Sequence, residues 1–443
     1  MKRISDFLLA GGKLSTPAIV NLLLSSSFGL NAIFYGAWLG YSIGIWALII
    51  QCAWSVSFFL LIPAARRFSS ITSLHDFLGR QFDPKTKLIA ALCSLVGISY
   101  FVVWEMNIAL STITSLLPNT AFVIGFFATL TIVFTLLFGL RGNAFIDTYI
   151  NLIKILILLA ICALAIGHLF SLPTETVHHS IFPSFGAVIA NLGIMGFITN
   201  IVFNVTWQFV DNSSWQTVIA GAKTSSRSTA RNLKYSGLFI FMTVNLLSSI
   251  IGISLAHQSN VTPDTILSMT SGFTAQYSFL LPAGIIILSI TSMMSLVDGM
   301  LLTSALTIHM DIMPKKLLAK LDEKKRMKLI QLSIIVVGLL SIWGIEFILQ
   351  AFRVNLFDFL YIIVISQLSL IGPVVVGLYA KGKKNRWMWM PIVLALIVGF
   401  GSIAMGTITG SKELVDGAGT FCVITSLVTA WIIQQAYSKH TLA

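Results

Sequence analysis

Ser25-Ser26-Ser27-Phe28-Gly29-Leu30-Asn31 interrupts, at its middle, an apolar run over residues 16–38. A run of this length makes a helix that crosses about 30 Å of hydrocarbon. Small and polar residues at its centre read as a break, where freed main-chain groups line a cavity instead of facing lipid. A second run has the same character: residues 184–210 carry Gly193, Gly196, Thr199, Asn200, Asn204 and Thr206. It lies five spans further along the chain. Because five is odd, two copies of a five-helix unit stand inverted to one another, and broken helices at matching places mark a binding site near the bilayer midplane. Gly and Ser are also common where ordinary membrane helices touch, so this pattern alone fits plain helix contacts as well.

Mean hydropathy is +0.90. With 56% hydrophobic and 10% charged residues over 443 positions, there is too little polar surface to coat a soluble globule. Apolar runs fall at 16–38, 43–65, 88–116, 120–140, 145–170, 184–210, 234–257, 277–311, 328–351, 356–380, 389–409 and 417–437, which makes about twelve spans. Of the 28 Lys and Arg residues, all but Lys154, Arg353 and Lys412 fall in alternate gaps. The positive-inside rule then puts both termini in the cytoplasm, and the compact loops point to a bacterial plasma (inner) membrane. The expected fold class is an all-α integral membrane protein with a five-plus-five inverted-repeat core, helices 1 and 6 broken, and two C-terminal helices. One transporter domain fills 1–443, with repeats at 16–170 and 184–380 and the additional helices within 389–437.

Several classes of function are set aside by the same residues. The net charge of +12 sits in short loops beside helix ends, where it orients the chain and meets anionic lipid, so no nucleic-acid partner is expected. Cys52, Cys93, Cys162 and Cys422 lie within spans at unrelated spacing and form no disulfide framework or metal motif. His75, His168, His178, His179, His257, His309 and His440 lie in loops or at helix ends without paired ligand spacing, so neither an enzyme nor a cofactor is expected. Gly11, Gly12 and Lys13 interrupt the stretch after Met1-Lys2-Arg3, which argues against a cleavable signal. PKKLLAKLDEKKRMK, within Met313 to Lys328, reads as a short basic amphipathic helix on the lipid surface. Thr72 or Ser73 caps another over LHDFLGRQF. Asn260-Val261-Thr262 is a glycosylation sequon that Pro263 weakens.

Several stretches, in order, resemble the sodium/solute symporter family. SDFLLAGGKLS at 5–15 is similar to the family's YFLAGRSL segment, LHDFLGRQF at 74–82 to its loop motif ending in RFG, and GPVVVGLYAKGKKN from Gly372 to the exit of its tenth core helix. FGLRGNAFIDTYIN, from Phe138 to Asn151, resembles GG-x-x-A-V-x-W-T-D-x-x-Q. That match places Asp147 at the family's acidic position at the cytoplasmic end of core helix 5, on a coupling or exit path. MSLVDGMLLTSALTIHMDI, from Met294 to Ile312, resembles the MSTADS-LL segment of core helix 8. WQFVDNSSWQTVIAGAKTSSRSTAR, from Trp207 to Arg231, is similar to FNQxxxQRxLAAK without its arginine. In it Trp207 and Trp215 read as interfacial anchors and Asp211 as a helix cap. The resemblance covers nearly the whole chain and implies secondary active transport of a small solute by alternating access. Most members carry one more helix before YFLAGRSL, so this member is short or its start has been lost. No kinase-like extension follows, which weighs against the sensor proteins with a similar membrane domain.

In that family one sodium is held by main-chain carbonyls at the break of helix 1 and by two consecutive hydroxyls of the MST segment. Carried over, the carbonyls lie near Ser26 and Gly29, the first hydroxyl is Ser295, the second is replaced by Leu296, and a further one lies near Ser292. Hard cations need oxygen ligands, and leucine supplies none. Lys154 lies seven residues, about two helical turns, beyond Asp147. The family fold places its helix beside that site. A lone charge at bilayer depth is costly unless paired, and the carbonyl end of a broken helix attracts a fixed cation as it attracts a mobile one. Three readings follow. Lys154 replaces the sodium, making transport sodium-independent or proton-coupled with Asp298 or Asp147 as partner; or Lys154 forms a structural ion pair with Asp298 or Glu105; or the chain is a conventional sodium symporter with a degenerate site.

For the solute, Ser27 and Asn31 on span 1, Tyr100, Trp104, Glu105 and Asn107 on span 3, and Asn200 and Asn204 on span 6 are the mid-depth polar candidates. Glu105 is expected either to receive a cationic or hydroxylated solute, with Tyr100 and Trp104 beside it, or to neutralise Lys154 or be protonated. The expected partners are a small polar solute and the lipid bilayer, with no obligate protein partner. A uniporter, channel or solute sensor on the same fold are rival readings. The motif order and the five-helix spacing argue against the major facilitator fold.

Overall fold

The computed structural model describes residues 4–117, 121–171, 181–222, 225–255, 280–344, 356–380 and 385–440, and among these there is no β-strand. Arg353, His178, His179, His257, Lys223 and the 260–262 sequon lie outside the described residues.

The chain opens with α1 (Ile4–Leu9) and a 3₁₀ turn (Ala10–Gly12), which meet α2 (Thr16–Ser27) at 109°. α2 stops at Ser27 and α3 (Leu30–Ile43) begins three residues later, so Phe28 and Gly29 form the expected break. α4 (Trp46–Leu61), α5 (Leu74–Gln81) and α6 (Pro84–Leu116) follow. α7 (Ala121–Ser171) joins the runs 120–140 and 145–170 across Gly139, whose φ of 62° costs a glycine little. The second half repeats the opening in order. α8 (Phe185–Leu192) meets α9 (Ile194–Val210) at 89°, and only Asp211 separates α9 from α10 (Asn212–Ala222). α11 (Ser226–Ile240) runs through a π-helical turn into α12 (Leu246–Ser254), and α13 (Leu280–Leu306) ends in another over Thr307–Ile312. α14 (Lys315–Ala319), α15 (Glu323–Leu339), α16 (Leu356–Leu368), α17 (Ile371–Tyr379), α18 (Trp389–Thr409) and α19 (Lys412–His440) complete the chain.

Among the described residues eight helices are long and apolar enough to cross a membrane, or ten if each bent pair is one span. The protein is a multi-pass membrane protein. Phe126 and Leu156 on α7 and Ile397 and Ile408 on α18 are exposed, and only lipid solvates such a surface.

Three local expectations change. The run 184–210 bends by 89° at Gly193, the first residue of its expected polar stretch, and breaks again at Asp211 (φ −74°, ψ 100°), beyond that stretch, while Gly196–Thr206 between them is continuous helix. Asn200 and Asn204 stay helical because their amides donate to Gly196 O (2.7 Å) and Asn200 O (2.7 Å) one turn back. Asp211 accepts from Ser213 N (3.0 Å), Ser214 N (3.2 Å) and Ser214 Oγ (2.6 Å), which caps α10 as expected. Trp207 and Trp215 are buried instead of anchoring at the interface, since α9 and α10 run through the centre of the bundle. Trp207 stacks on Trp54 (5.9 Å) and Phe101 (6.0 Å), and Trp215 lies on Phe68 (4.8 Å). The stretch 314–328 is not one amphipathic helix, because Asp322 accepts from Lys325 N (2.7 Å) and starts α15 afresh. Of Thr72 and Ser73, it is Ser73 that caps α5, accepting from Asp76 N (2.8 Å).

Candidate functional site

Breaking a helix leaves carbonyls at the end of its first half and amides at the start of its second. At the α2–α3 break both are met by side chains from other helices. On the carbonyl side, the fully buried Lys154 of α7 donates from Nζ to Phe28 O (3.2 Å) and to Ser295 Oγ on α13 (3.0 Å). Its ammonium also lies 4.6 Å from the Phe28 ring centre. On the amide side, Leu30 N (2.6 Å) and Asn31 N (3.0 Å) donate to the two carboxylate oxygens of the fully buried Glu105 of α6.

The carbonyl used is that of Phe28, between the expected Ser26 and Gly29. Gly29 O is taken by Ile33 N (3.3 Å) within α3, and Ser26 Oγ donates back to Leu23 O (3.0 Å). Ser292 is buried with no protein partner for its hydroxyl, and Leu296 packs against the break. The expected direct ion pair of Lys154 with Asp298 or Glu105 is not formed. The salt bridges among the described residues join His75 to Asp311, Arg80 to Asp76 and Lys87 to Asp311. Glu105 is committed to the amides, and Asp298 is buried with Oδ1 unpartnered. Asp147 is buried too, and lines a small polar pocket with Ser25, Ser26, Asn143 and Ser295.

Gly29 leaves no room at the break. A Cβ there would stand 2.6 Å from Leu296 Cδ1 and 2.8 Å from Glu105 Oε2. Gly29→Ala is therefore expected to destabilise the protein by about 1–3 kcal/mol, through overpacking against two fixed neighbours. A lower melting temperature of the detergent-purified variant is the check, and an unchanged one would show that the break can widen.

Beyond the break lies a cavity of about 500 Å³ between α3, α4, α6, α8, α9, α16 and α19. Ser27, Asn31, Trp104 and Asn200 line it. Tyr100, Glu105, Asn107 and Asn204 do not. Asn107 donates to Val103 O (3.0 Å) of its own helix, Asn204 donates to Tyr35 Oη (2.9 Å) and Asn200 O (2.7 Å), and Glu105 sits behind the break. Tyr35, Gln51, Trp54, Phe101, Asn245 and Tyr361 line the cavity without having been singled out in the sequence. The signal available for them was thin: aromatics in membrane helices usually mark lipid interfaces. At the rim stand Lys412, exposed, and Asp416, which accepts from Tyr361 Oη (3.3 Å).

The opposite end is closed. Gln216 Nε2 donates to Leu8 O (2.8 Å), Leu14 N to Ala220 O (3.0 Å) and Arg67 Nη1 to Gly377 O (2.8 Å). His75, which in sequence looked like an unremarkable loop or helix-end histidine, is buried there between Asp311 Oδ2 (2.9 Å) and Ser94 Oγ (2.9 Å).

No protein-family model matches the chain, and no curated protein matches its sequence. Solved structures do. The chain is similar to a Na⁺-coupled sialic acid symporter in a substrate-bound outward-open state, at 19% identity over 98% of this chain and 92% of that one, with a TM-score of 0.72. It is also similar to Mhp1, a nucleobase-cation-symport-1 family transporter with bromovinylhydantoin bound, at 15% identity over 98% and 94%, TM-score 0.59. A third is the Eremococcus coleocola manganese transporter, at 12% identity over 99% and 97%, TM-score 0.57. At such identities the likeness establishes the fold, which is the inverted-repeat fold of these transporters.

Proposed function

We propose that the chain is a secondary active transporter of the plasma (inner) membrane, a single domain with both termini cytoplasmic, that imports a small solute by alternating access. In this reading Lys154 is its resident cation. The observation that carries it is the seat of the Lys154 ammonium on Phe28 O and Ser295 Oγ, which unites the helix break with the hydroxyl of the segment resembling the symporter family's MST. A sodium ion also needs oxygen ligands, and Ser295 Oγ is one that the family resemblance assigns to it. The resident ammonium fills the place that a mobile ion takes in a sodium-coupled relative, and Leu296 removes a further oxygen. The small pocket lined by Asp147 also touches Ser295, whose hydroxyl accepts from Lys154. Proton coupling through Lys154 with Asp147 is the corresponding mechanism.

Uptake into proteoliposomes tests this. With a solute identified by thermal stabilisation, transport in potassium medium is expected to equal transport in sodium medium and to be driven by an inward proton gradient. Uptake that requires sodium would restore the conventional symporter. Equilibration without accumulation under either gradient would make the protein a uniporter.

A further inference from the structure

The two ends of the broken first helix have opposite appetites. Exposed carbonyls attract cations and exposed amides attract anions, and half-helix N-termini at the midplane hold the carboxylates of anionic solutes. In this protein both ends are already answered from within. Lys154 takes the Phe28 carbonyl, and Glu105 takes the amides of Leu30 and Asn31 at 2.6 and 3.0 Å. The position of a Gly29 Cβ lies 2.8 Å from Glu105 Oε2, so the carboxylate is wedged against the break. A second carboxylate arriving there would find its donors used and a like charge in their place.

The rest of the cavity offers an anion no substitute. The cation on its wall is Lys412, exposed at the rim near Asp416. Asn31 Nδ2, Gln51 Nε2 and Trp54 Nε1 have no protein partner, but each is shut away from the open space of the cavity and offers a solute no donor. Around them the wall is aromatic, with Tyr35, Phe101 and Trp104. Ring faces bind flat groups without needing charge.

We propose that this cavity takes a solute that has a flat ring and carries no carboxylate, and that Glu105 excludes carboxylates. Glu105 is then a specificity-determining residue acting through the helix break, not a direct solute ligand. The inference rests on the cavity being the solute site of the transporter proposed above.

Matched pairs that differ in one group test it. Indole-3-acetamide against indole-3-acetate, phenylacetamide against phenylacetate, and nicotinamide against nicotinate are titrated into the purified full-length protein, with melting temperature and tryptophan fluorescence as readouts. Amides are expected to bind at least about tenfold tighter than their acids, a difference that corresponds to about 1.4 kcal/mol. In Glu105→Gln the carboxamide keeps an acceptor but loses the charge, and the ratio is expected to fall toward one. Trp104→Leu removes one ring face from the cavity wall and is expected to weaken ring-bearing amides about threefold or more. Acids that bind as well as amides in the wild type, a ratio unmoved in a folded Glu105→Gln, or a panel in which no amide binds would each overturn the proposal. Should Glu105→Gln not fold, the wild-type ratio and Trp104→Leu decide it. Amide binding without flux into proteoliposomes rejects transport but leaves the solute class standing. Flux of the acids alone rejects the class and leaves transport standing.

Discussion

Lys154→Ala is expected to abolish concentrative uptake and to lower stability by about 1–3 kcal/mol, because the buried Phe28 carbonyl and Ser295 hydroxyl lose their charged donor. The ammonium is fully buried and donates to Phe28 O and Ser295 Oγ. Without it the Phe28 carbonyl at the break has no donor. Lys154→Arg is expected not to rescue, since a planar fork needs a larger and differently shaped seat than a point-like ammonium beside the Phe28 ring. The variant also leaves a cation-shaped place lined by oxygen. If its melting temperature becomes sodium-dependent where that of the wild type is not, by RT ln(1 + [L]/Kd), the place is a sodium seat that lysine has occupied. Uptake that continues unchanged in Lys154→Ala and still demands sodium would falsify the resident-cation mechanism.

Asp311→Asn carries the second large effect. One carboxylate receives His75 Nδ1 (2.9 Å), Ser73 Oγ (2.9 Å) and Lys87 Nζ (3.0 Å), and thereby ties α5, the start of α6 and the end of α13 together. Lys87 also donates to Met310 O (2.8 Å), so its ammonium stays in place when the charge opposite is removed. A loss of about 3 kcal/mol or more is expected on this account, read as a lower melting temperature. The network belongs to the closed end, beside the Gln216–Leu8 and Arg67–Gly377 bonds. Alternating access requires that end to open, and a weaker lock shifts the population toward the opened state. A cysteine placed at Ser26, in the pocket beside Asp147, is therefore expected to react faster with a thiol reagent in Asp311→Asn than in the parent. Equal labelling rates at equal occupancy would make the cluster a structural clasp and not a gate.

The break in helix 1 was legible because Phe28 and Gly29 sit inside a polar, small-residue stretch at the centre of a hydrophobic run. In the second run Gly193 bends the chain, whereas Gly196 to Thr206 proved compatible with continuous helix once the Asn200 and Asn204 amides bonded one turn back, and a further break falls at Asp211. Composition reports that a segment contains polar groups, not whether they are satisfied within it. Glu105 shows the limit most plainly. A carboxylate at bilayer depth marks a special place, but whether it faces a solute or a helix end depends on which helix lies opposite.

Span positions, charge asymmetry between loops and the helix-breaking stretch are properties of contiguous residues, and they were readable along the chain. The same holds for Lys154 as a cation standing apart from the loops. The contacts that define the site are not contiguous: Leu30 and Glu105 are 75 residues apart, Phe28 and Lys154 are 126 apart, and His75 and Asp311 are 236 apart. A hydrogen bond forms within a few tenths of an ångström or not at all. The rotation and depth of each helix, set by packing against its neighbours, therefore decided which of the buried charges met one another and which groups were left for a solute.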